Sequence, residues 1–253
     1  MNVMITAGGT VEKIDSVRSI SNFSTGKLGS LTADSFSALP DVKEIYYLCG
    51  KTSILPKSDK AKIIYVDTVE SLEKTVTDIL CSVDIDIIIH SMAVSDYRVK
   101  SVISLSDVIS SLASGKDGED ITTLFNKALR EKNSGNTSSG NKISSDIEDL
   151  LLVMEKTPKV ISLFQKLSPK SVLVGFKLLN AVSLETLIDT GFRILQENKC
   201  CFVLANDLSE ISDTTHIGYL IDSNKNYQRF CTKQDIADAI VSATRATTEK
   251  RSK

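Results

Sequence analysis

Two segments near the N-terminus contain the residue types that hold a phosphate. Gly8 and Gly9 follow the first apolar run, NVMIT, and the segment STGKL begins at Ser24. Glycines after a strand let the backbone approach a phosphate closely. Lys27 would lie at a helix start, where a positive charge opposes the helix dipole, so an anionic partner is favoured there. Without a ligand, the glycine pair would be an ordinary tight turn.

Neither segment matches a standard nucleotide-binding motif. The sequence G-G-T is not the G-x-G-x-x-G of dinucleotide-binding proteins, and Leu28 stands where a P-loop requires Ser or Thr for Mg²⁺. Tyr97 and Lys100 are three residues apart, so the Tyr-x-x-x-Lys pair of short-chain dehydrogenases also fails. The residues alone therefore indicate a phosphate-binding domain and leave its chemistry open.

The composition is that of a packed protein with no strong charge bias. The chain has 253 residues, 42% of them hydrophobic, and its net charge is 30 − 32 = −2. Nothing in this balance favours binding to nucleic acid or to an anionic membrane. No apolar run reaches the roughly 18 residues of a membrane span, and no signal peptide is evident.

The numbers of cysteines and histidines limit the kinds of disulfide and metal site that the chain can form. The five cysteines are odd in number, form no C-x-x-C and lie in part in apolar runs, which favours buried free thiols and a reducing, cytoplasmic setting. Only His90 and His216 are available as imidazole ligands, so we expect no zinc site.

Short apolar runs alternate with helical patterns, which predicts an α/β fold. We expect a Rossmann-like, doubly wound, mainly parallel sheet with helices on both faces, within one domain that spans 1–253. The predicted strands are 2–6, 44–49, 62–66, 86–92, 171–176 and 201–205. The predicted helices are 26–39, 68–83 with Asp67 as N-cap and Glu70 as its partner, 146–156 and 183–197. A C-terminal hairpin, 216–222 with 227–231, precedes a last helix that Thr232 and Asp235 open.

One segment differs from the rest in composition. Residues 114–141 are rich in Ser, Gly, Asn and charge, which predicts a mobile insertion with a short helix at 120–131. An inert surface loop would have the same composition.

Several segments occur together in a specific order. They are ITAGGTVEKIDSVRSISNFSTGKLG, MAVSDY (92–97), NKISS (141–145), KTPKVI (156–161), VGFKLL (174–179) and LANDLS (204–209). As a set they resemble phosphopantothenate–cysteine ligase, the phosphopantothenoylcysteine synthetase of coenzyme A biosynthesis. The resemblance covers roughly residues 2–245 except 114–139, which places the insertion in the active-site flap. Because the sequence starts at this domain, it resembles the free-standing bacterial form.

The resemblance implies a reaction in two steps. CTP activates the carboxylate of 4′-phosphopantothenate to an acyl-cytidylate with release of pyrophosphate. The amine of L-cysteine then attacks the acyl carbon and releases CMP. Mg²⁺ would arrive with the nucleotide, with no protein metal ligands and no tightly bound organic cofactor. Family members are homodimers, and the hairpin or an edge strand is the expected contact.

The resemblance also implies site residues. The expected catalytic residues are Asn22, Lys142 on the flap and Arg18. The expected nucleotide- and phosphate-binding residues are Gly8, Gly9, Thr10, Ser24, Thr25, Gly26, Lys27, Ser91, Met92, Asp96, Pro158, Lys159, Val160, Ile161, Phe176 and Arg193. Asn206 and Asp207 are expected to line the site.

Plainer interpretations of these residues stay open. Asn22 would also suit a turn, Arg18 a surface ion pair, Asp96 a helix N-cap, and Phe176 the core. Lys142 would otherwise be one solvated lysine among many.

The sequence departs from the family at Glu197, near a position where related enzymes carry a lysine for the triphosphate. The insertion and Glu197 together leave an inactive nucleotide-binding module open. A Rossmann-type oxidoreductase is a third alternative, against which the missing dinucleotide-binding fingerprint counts. Use of ATP instead of CTP also stays open.

Overall fold

The computed structural model describes residues 1–115, 119–131, 142–212 and 215–251. The chain divides into two compact units, which are described separately. The first, here called the sheet unit, comprises Met1–Thr10, Asn22–Val94 and Lys159–Lys253. The second, the ribbon unit, comprises Val11–Ser21 and Ser95–Pro158.

The helices and strands are numbered along the chain. The strands are β1 (Asn2–Ala7), β2 (Val11–Lys13), β3 (Ser19–Ser21), β4 (Glu44–Cys49), β5 (Ala61–Tyr65), β6 (Ile87–His90), β7 (Tyr97–Ser104), β8 (Leu150–Lys156), β9 (Val172–Leu179), β10 (Phe202–Asp207), β11 (Gly218–Ile221) and β12 (Tyr227–Phe230). The helices are α1 (Lys27–Ser37), α2 (Val69–Ser82), α3 (Leu105–Ala113), α4 (Ile121–Glu131), α5 (Ile161–Leu167), α6 (Leu184–Glu197) and α7 (Lys233–Arg251).

The sheet unit confirms the predicted doubly wound sheet. Its strands lie in the order β12-β11-β10-β9-β6-β1-β4-β5. The strands from β10 to β5 are parallel, and the C-terminal hairpin adds β11 and β12 antiparallel. The chain runs outward from β1 through β4 to β5, then returns to β6 on the other side of β1. The carboxyl ends of β1 and β6 therefore form the topological switch point, where such sheets bind ligands.

Helices cover both faces of this sheet because its strands are apolar on both sides. Ile5 of β1 packs in a core cluster with Phe36 of α1 and Ile240 of α7. Its neighbour Met4 points to the other face and packs with Leu72 of α2 and with residues of α5 and α6. Alternate burial on two faces explains the nearly continuous hydrophobicity of these strands.

The ribbon unit corrects one prediction. The helix predicted at 146–156 is wrong, since Leu150–Lys156 form β8, antiparallel to β7. Its run LLLVM is too short for periodicity to separate a helix from a strand, and pairing with β7 decides the outcome. Leu150 and Met154 pack with Val99 and Val102 of β7 in a small core.

The inserted segment contains the predicted short helix. Helix α4 packs Ala128 against Val108 of α3, and Leu124 is also buried. Residues 116–118 and 132–141 lie outside the described residues, so the mobility of 114–141 stays a prediction.

Local details confirm some expectations and correct others. The N-cap of α2 is Thr68 with Ser71 as its partner, not Asp67 with Glu70. Thr232 accepts a hydrogen bond from the Asp235 N–H at the start of α7, as expected. All five cysteines are free, but the expectation that they are buried is wrong for Cys81 and Cys231, which are exposed. No helix among the described residues is long and apolar enough to cross a membrane.

Candidate functional site

A cavity of about 280 Å³ lies in the sheet unit at the carboxyl ends of the strands. It brings together part of the predicted site, and the predicted residues that line it are Ser24, Thr25, Gly26, Lys27, Ser91, Met92, Phe176 and Asn206. Its other lining residues are Phe23, Leu28, Gly29, Ala93, Leu178, Leu208, Ile211, His216 and Lys233. None of the described lining residues is acidic and two are lysines, so the lining, which mixes apolar and neutral polar side chains, carries a net positive charge.

The loops that follow β1 and β6 are held side by side. The Gly8 carbonyl accepts a hydrogen bond from the Ala93 N–H at 2.8 Å, and the Thr10 N–H donates to the Ala93 carbonyl at 3.1 Å. At the end of β6, the Ser91 hydroxyl donates to the Thr6 carbonyl at 2.7 Å. The two strands at the switch point thus fix the backbone on which the predicted phosphate cradle stands.

Two glycines shape the cradle through left-handed backbone. Gly8 has φ +80° and Gly26 has φ +71°, a region that side chains rarely adopt. Gly26 is the N-cap of α1 and has no side chain that could cap the helix. The Lys27 N–H donates to Thr25 Oγ1 at 3.4 Å, and the N–H groups that follow it in the first turn are left for a ligand. These N–H groups and Lys27 are suited to an anion.

Asn22 lies next to this cradle but does not line the cavity. Its side chain is exposed, and its N–H donates to the Thr10 carbonyl at 3.5 Å. A Cβ on Gly9 would lie 2.5 Å from the Asn22 carbonyl oxygen. The glycine at position 9 is therefore required for Asn22 to sit where it does.

In the ribbon unit, Asp15 connects Arg18 to the residue that follows Lys142. The Asp15 carboxylate accepts hydrogen bonds from Val17 N–H at 2.8 Å, Arg18 N–H at 2.7 Å and Ile143 N–H at 3.2 Å. The Arg18 guanidinium donates in turn to the Ile143 carbonyl at 3.4 Å. These bonds, led by the one from Val17, hold the pKa of Asp15 below its ordinary value.

The sequence reasoning missed Asp15. It lies within the EKIDSVR stretch, where a buried carboxylate bonded to the backbone has no spacing signature. Its effect is to bring two of the predicted catalytic residues, Arg18 and exposed Lys142, to neighbouring positions.

Asp96 and Pro158 also meet in the ribbon unit. Strand β6 ends at His90, and Asp96 directly precedes β7. Its carbonyl accepts from the Thr157 N–H at 3.1 Å, which places exposed Pro158 at the same end of the ribbon. No helix follows Asp96, so the N-cap interpretation is excluded.

The segment 159–161 belongs to the sheet unit, and its apolar side chains point inward. Val160 is buried in the core, and Ile161 packs against the same cluster. Lys159 is exposed. Val160 and Ile161 can therefore reach a ligand only through their backbone groups.

Asp207 has a structural role that competes with the predicted lining role. Its buried carboxylate accepts from Ala181 N–H and Val182 N–H, both at 2.9 Å, and from Ser209 N–H and Oγ. The Ser209 hydroxyl, followed by the Val182 N–H, lowers the pKa of Asp207 well below its ordinary value. Asp207 therefore anchors the loop after β9 to the end of β10, while its neighbour Asn206 lines the cavity.

Arg193 is not brought into this cavity. It forms an exposed ion pair with Glu197 at 4.0 Å on α6. Glu197, the residue that departs from the family pattern, is therefore the ion-pair partner of this arginine. Exposed pairs of this kind are weak, on the order of 0.5 kcal/mol.

Three further lining residues had no signal in the sequence. Phe23 is fully exposed at the cavity, and Lys233 begins α7. His216 precedes β11, and burial together with the charge of Lys233 lowers its pKa to about 4. They come from distant parts of the chain and meet only in the folded sheet. No cluster of metal-ligating side chains occurs within the described ranges.

This chain is similar to proteins of pantothenate and coenzyme A metabolism. The model of the DNA/pantothenate metabolism flavoprotein C-terminal domain matches residues 1–105. The coenzyme A biosynthesis bifunctional protein CoaBC of Thermococcus kodakarensis is 29% identical over 242 residues, which are 94% of this chain and 49% of that protein. The chain thus spans about half the length of this relative.

Solved structures extend the likeness to the whole fold. The DNA/pantothenate metabolism flavoprotein from Streptococcus pneumoniae superposes with a TM-score of 0.82 at 31% identity, over 98% of this chain and 99% of that one. A Cab2 variant in complex with phosphopantothenate-cysteine shares the fold, with a TM-score of 0.69 at 17% identity over 99% of this chain and 87% of that one. The chain belongs to the DNA/pantothenate metabolism flavoprotein family.

Proposed function

We propose that this protein is a phosphopantothenate–cysteine ligase that uses CTP. The observation that supports this proposal most is the cavity at the switch point. The start of α1, which has no side-chain cap at Gly26, lines this cavity together with Lys27, Phe176 and Asn206. The relative from Thermococcus kodakarensis is named for coenzyme A biosynthesis, and the Cab2 neighbour binds phosphopantothenate-cysteine. CTP as the nucleotide rests on the resemblance to the bacterial form.

The chemistry of the cavity favours the acid substrate over the triphosphate. A triphosphate carries about four negative charges, whereas the described lining residues offer two lysines and several apolar side chains, among them Leu28, Leu178 and Leu208. 4′-Phosphopantothenate has one phosphate and a branched aliphatic body. We therefore place its phosphate at the start of α1 and its body against the apolar wall. Phe176 then packs on the acid rather than on the nucleotide that the resemblance implies.

The first step forms an acyl-cytidylate. A carboxylate oxygen of the acid attacks the α-phosphorus of CTP, which arrives as its Mg²⁺ complex, and pyrophosphate leaves with both electrons of the broken P–O bond. Lys142 and Arg18, which Asp15 keeps at neighbouring positions, would neutralise the charge that grows on the phosphates.

The second step forms the amide. The cysteine amine attacks the acyl carbon, the nitrogen loses a proton to solvent, and CMP leaves with the bridging oxygen. The neutral amide of Asn22 can donate to the oxyanion without repelling it. Exclusion of water until the amine arrives would fall to the flap that carries Lys142.

The family resemblance also supports proposals for assembly and setting. We expect a cytoplasmic homodimer that binds small molecules and neither nucleic acid nor membrane. Exposed Phe23 at the cavity is a contact that a second subunit could cover. Sedimentation velocity would test the dimer.

Pyrophosphate release tests the proposed function. Reactions with CTP and with ATP, each lacking one of the other substrates in turn, should release pyrophosphate only with nucleotide and 4′-phosphopantothenate together. Full turnover should also require L-cysteine. Release with ATP but not CTP would keep the ligase and reverse the nucleotide assignment.

A second candidate is an inactive nucleotide-binding module. Its specific support is the Arg193–Glu197 pair, which leaves that arginine less available to a triphosphate. This module would bind a nucleotide and release no pyrophosphate in any mixture.

A further inference from the structure

Lys233 and His216 bring polar groups to the side of the cavity that Leu208 and Ile211 also line. Lys233 is the first residue of α7, and His216 lies two residues before β11, the first strand of the C-terminal hairpin. The backbone N–H of His216 donates to the Cys231 carbonyl at 2.9 Å, which fixes its position. Leu208 and Ile211 line the cavity beside them.

The His216 side chain is not satisfied within the described part of the chain, whereas half-exposed Lys233 keeps contact with solvent. Both ring nitrogens of His216 are shielded from solvent and lack a hydrogen-bond partner among the described residues. Within the same residues, no carboxylate lies at ion-pair distance from Lys233. Buried polar groups without partners are costly, so native proteins keep few of them, and a ligand is one reason to keep them.

The charge on Lys233 reaches this wall. Its proximity is one cause of the lowered pKa of His216, after burial, so the imidazole is neutral near pH 7 and retains one N–H donor. Lys27 and Lys233 are the two cationic side chains among the described lining residues. Their combined charge matches a phosphate monoester, which carries about −1.5 to −2 at pH 7.

We propose that Lys233, assisted by His216, recognises the phosphate monoester of the acid substrate and makes the enzyme select phosphorylated over unphosphorylated acid. This inference rests on the proposed function. Lys27 and the start of α1 hold the phosphate from the glycine loops, and Lys233 supplies the second positive charge. His216 donates its N–H to a phosphate oxygen when the ligand is bound.

The test compares two ligands that differ by the phosphate alone. Titration calorimetry with 4′-phosphopantothenate and with pantothenate gives the ratio of their Kd values, here called the phosphate preference. Lys233→Met should reduce the phosphate preference by about tenfold or more, because a charge-assisted contact is lost. Lys250→Met is the matched control, since Lys250 is exposed on the same helix roughly 25 Å away. It should leave the preference unchanged.

A second variant separates recognition from a structural role. His216→Leu removes the unpartnered nitrogens, so it should raise the Tm of the ligand-free protein by roughly 2–4 °C while it lowers the phosphate preference. His216→Gln keeps a donor and should recover most of the preference.

The outcomes separate this inference from the function on which it rests. If Lys233→Met weakened both ligands equally, or neither, the role of Lys233 would be wrong even though the wild-type protein still released pyrophosphate. If His216→Leu lowered the Tm and left the phosphate preference unchanged, His216 would be a structural residue, and its proposed role in phosphate recognition would be wrong. If the wild-type protein bound neither acid and released no pyrophosphate, the inference would fall together with the proposed function.

Discussion

Gly8 and Gly26, which come from different loops, meet through left-handed backbone. A Cβ on Gly26 would lie 3.1 Å from the backbone nitrogen of Gly8. Both glycines have positive φ angles, so the approach depends on the absence of two side chains. The phosphate cradle is therefore a feature of the backbone, which accounts for a glycine pattern that fits no standard motif.

Gly26→Ala should damage the cradle and the fold together. The left-handed conformation costs a residue with a side chain about 1–2 kcal/mol, and the added methyl would press on Gly8. We expect a lower Tm and loss of 4′-phosphopantothenate binding, measured by thermal unfolding and calorimetry. Gly26→Asn should recover part of the Tm, since asparagine tolerates this conformation best after glycine. Unchanged binding in Gly26→Ala would show that the acid does not use the start of α1.

Asn22→Asp should separate the two chemical steps. The new carboxylate would repel the oxyanion that the amide is proposed to stabilise, so we expect pyrophosphate release to continue while amide formation slows about 10²–10³-fold. Rapid-quench kinetics with detection of acyl-cytidylate measures both. Gly9→Ala should show a related defect, because its Cβ would displace the Asn22 backbone. Normal turnover of Asn22→Asp would remove Asn22 from the mechanism.

Lys142→Gln should slow the first step, since it removes a charge that opposes the growing charge on the phosphates. Asp15→Asn should slow the same step by releasing Arg18 and the segment that begins at Ile143. Both changes act on the same arrangement of Lys142, Arg18 and Asp15. Asp15→Asn should therefore slow the Lys142→Gln variant much less than it slows the wild-type protein. Fully additive losses in single-turnover pyrophosphate release would contradict this coupling.

Asp207→Asn should destabilise the protein in a way that depends on pH. The pKa of Asp207 is lower in the folded state than in the unfolded state, where it is about 3.9. The ionised carboxylate therefore stabilises the fold fully above the unfolded-state pKa, and this stabilisation is lost as the pH falls through the folded-state pKa. The difference in Tm between wild type and variant should be widest near pH 6–7 and should narrow below about pH 4. Asp78→Asn, on the exposed side of α2, is the control. A difference in Tm that stayed constant with pH would show that the charge is not what matters.

The sequence predicts the sheet unit well because its strands carry a strong local signal. Runs such as NVMIT and DIIIH are buried on both faces, and the structure places them as β1 and β6 at the switch point. The ordered motifs predict the family, and the segment around Gly26 lines a cavity, with Gly8 packed beside Gly26.

The ribbon unit and part of the site depend on contacts between distant residues. The run LLLVM becomes β8 only because β7 pairs with it, although their sequence separation exceeds that of any local pattern. Asp15 and Ile143 are likewise joined by a single hydrogen bond between segments far apart in the chain. Lys233 and His216 reach the cavity through the hairpin, which no motif reveals.

The most direct test of the account follows the carboxylate oxygen of the acid. With 4′-phosphopantothenate labelled by ¹⁸O in its carboxylate, CTP, Mg²⁺ and L-cysteine, mass spectrometry of the products should find one ¹⁸O in CMP for each phosphopantothenoylcysteine formed. The label reaches CMP because the bridging oxygen of the acyl-cytidylate stays with phosphorus when the amine attacks carbon. Product formation with no ¹⁸O in the nucleoside monophosphate would contradict the acyl-nucleotide mechanism. The absence of amide product with both CTP and ATP would contradict the ligase activity itself.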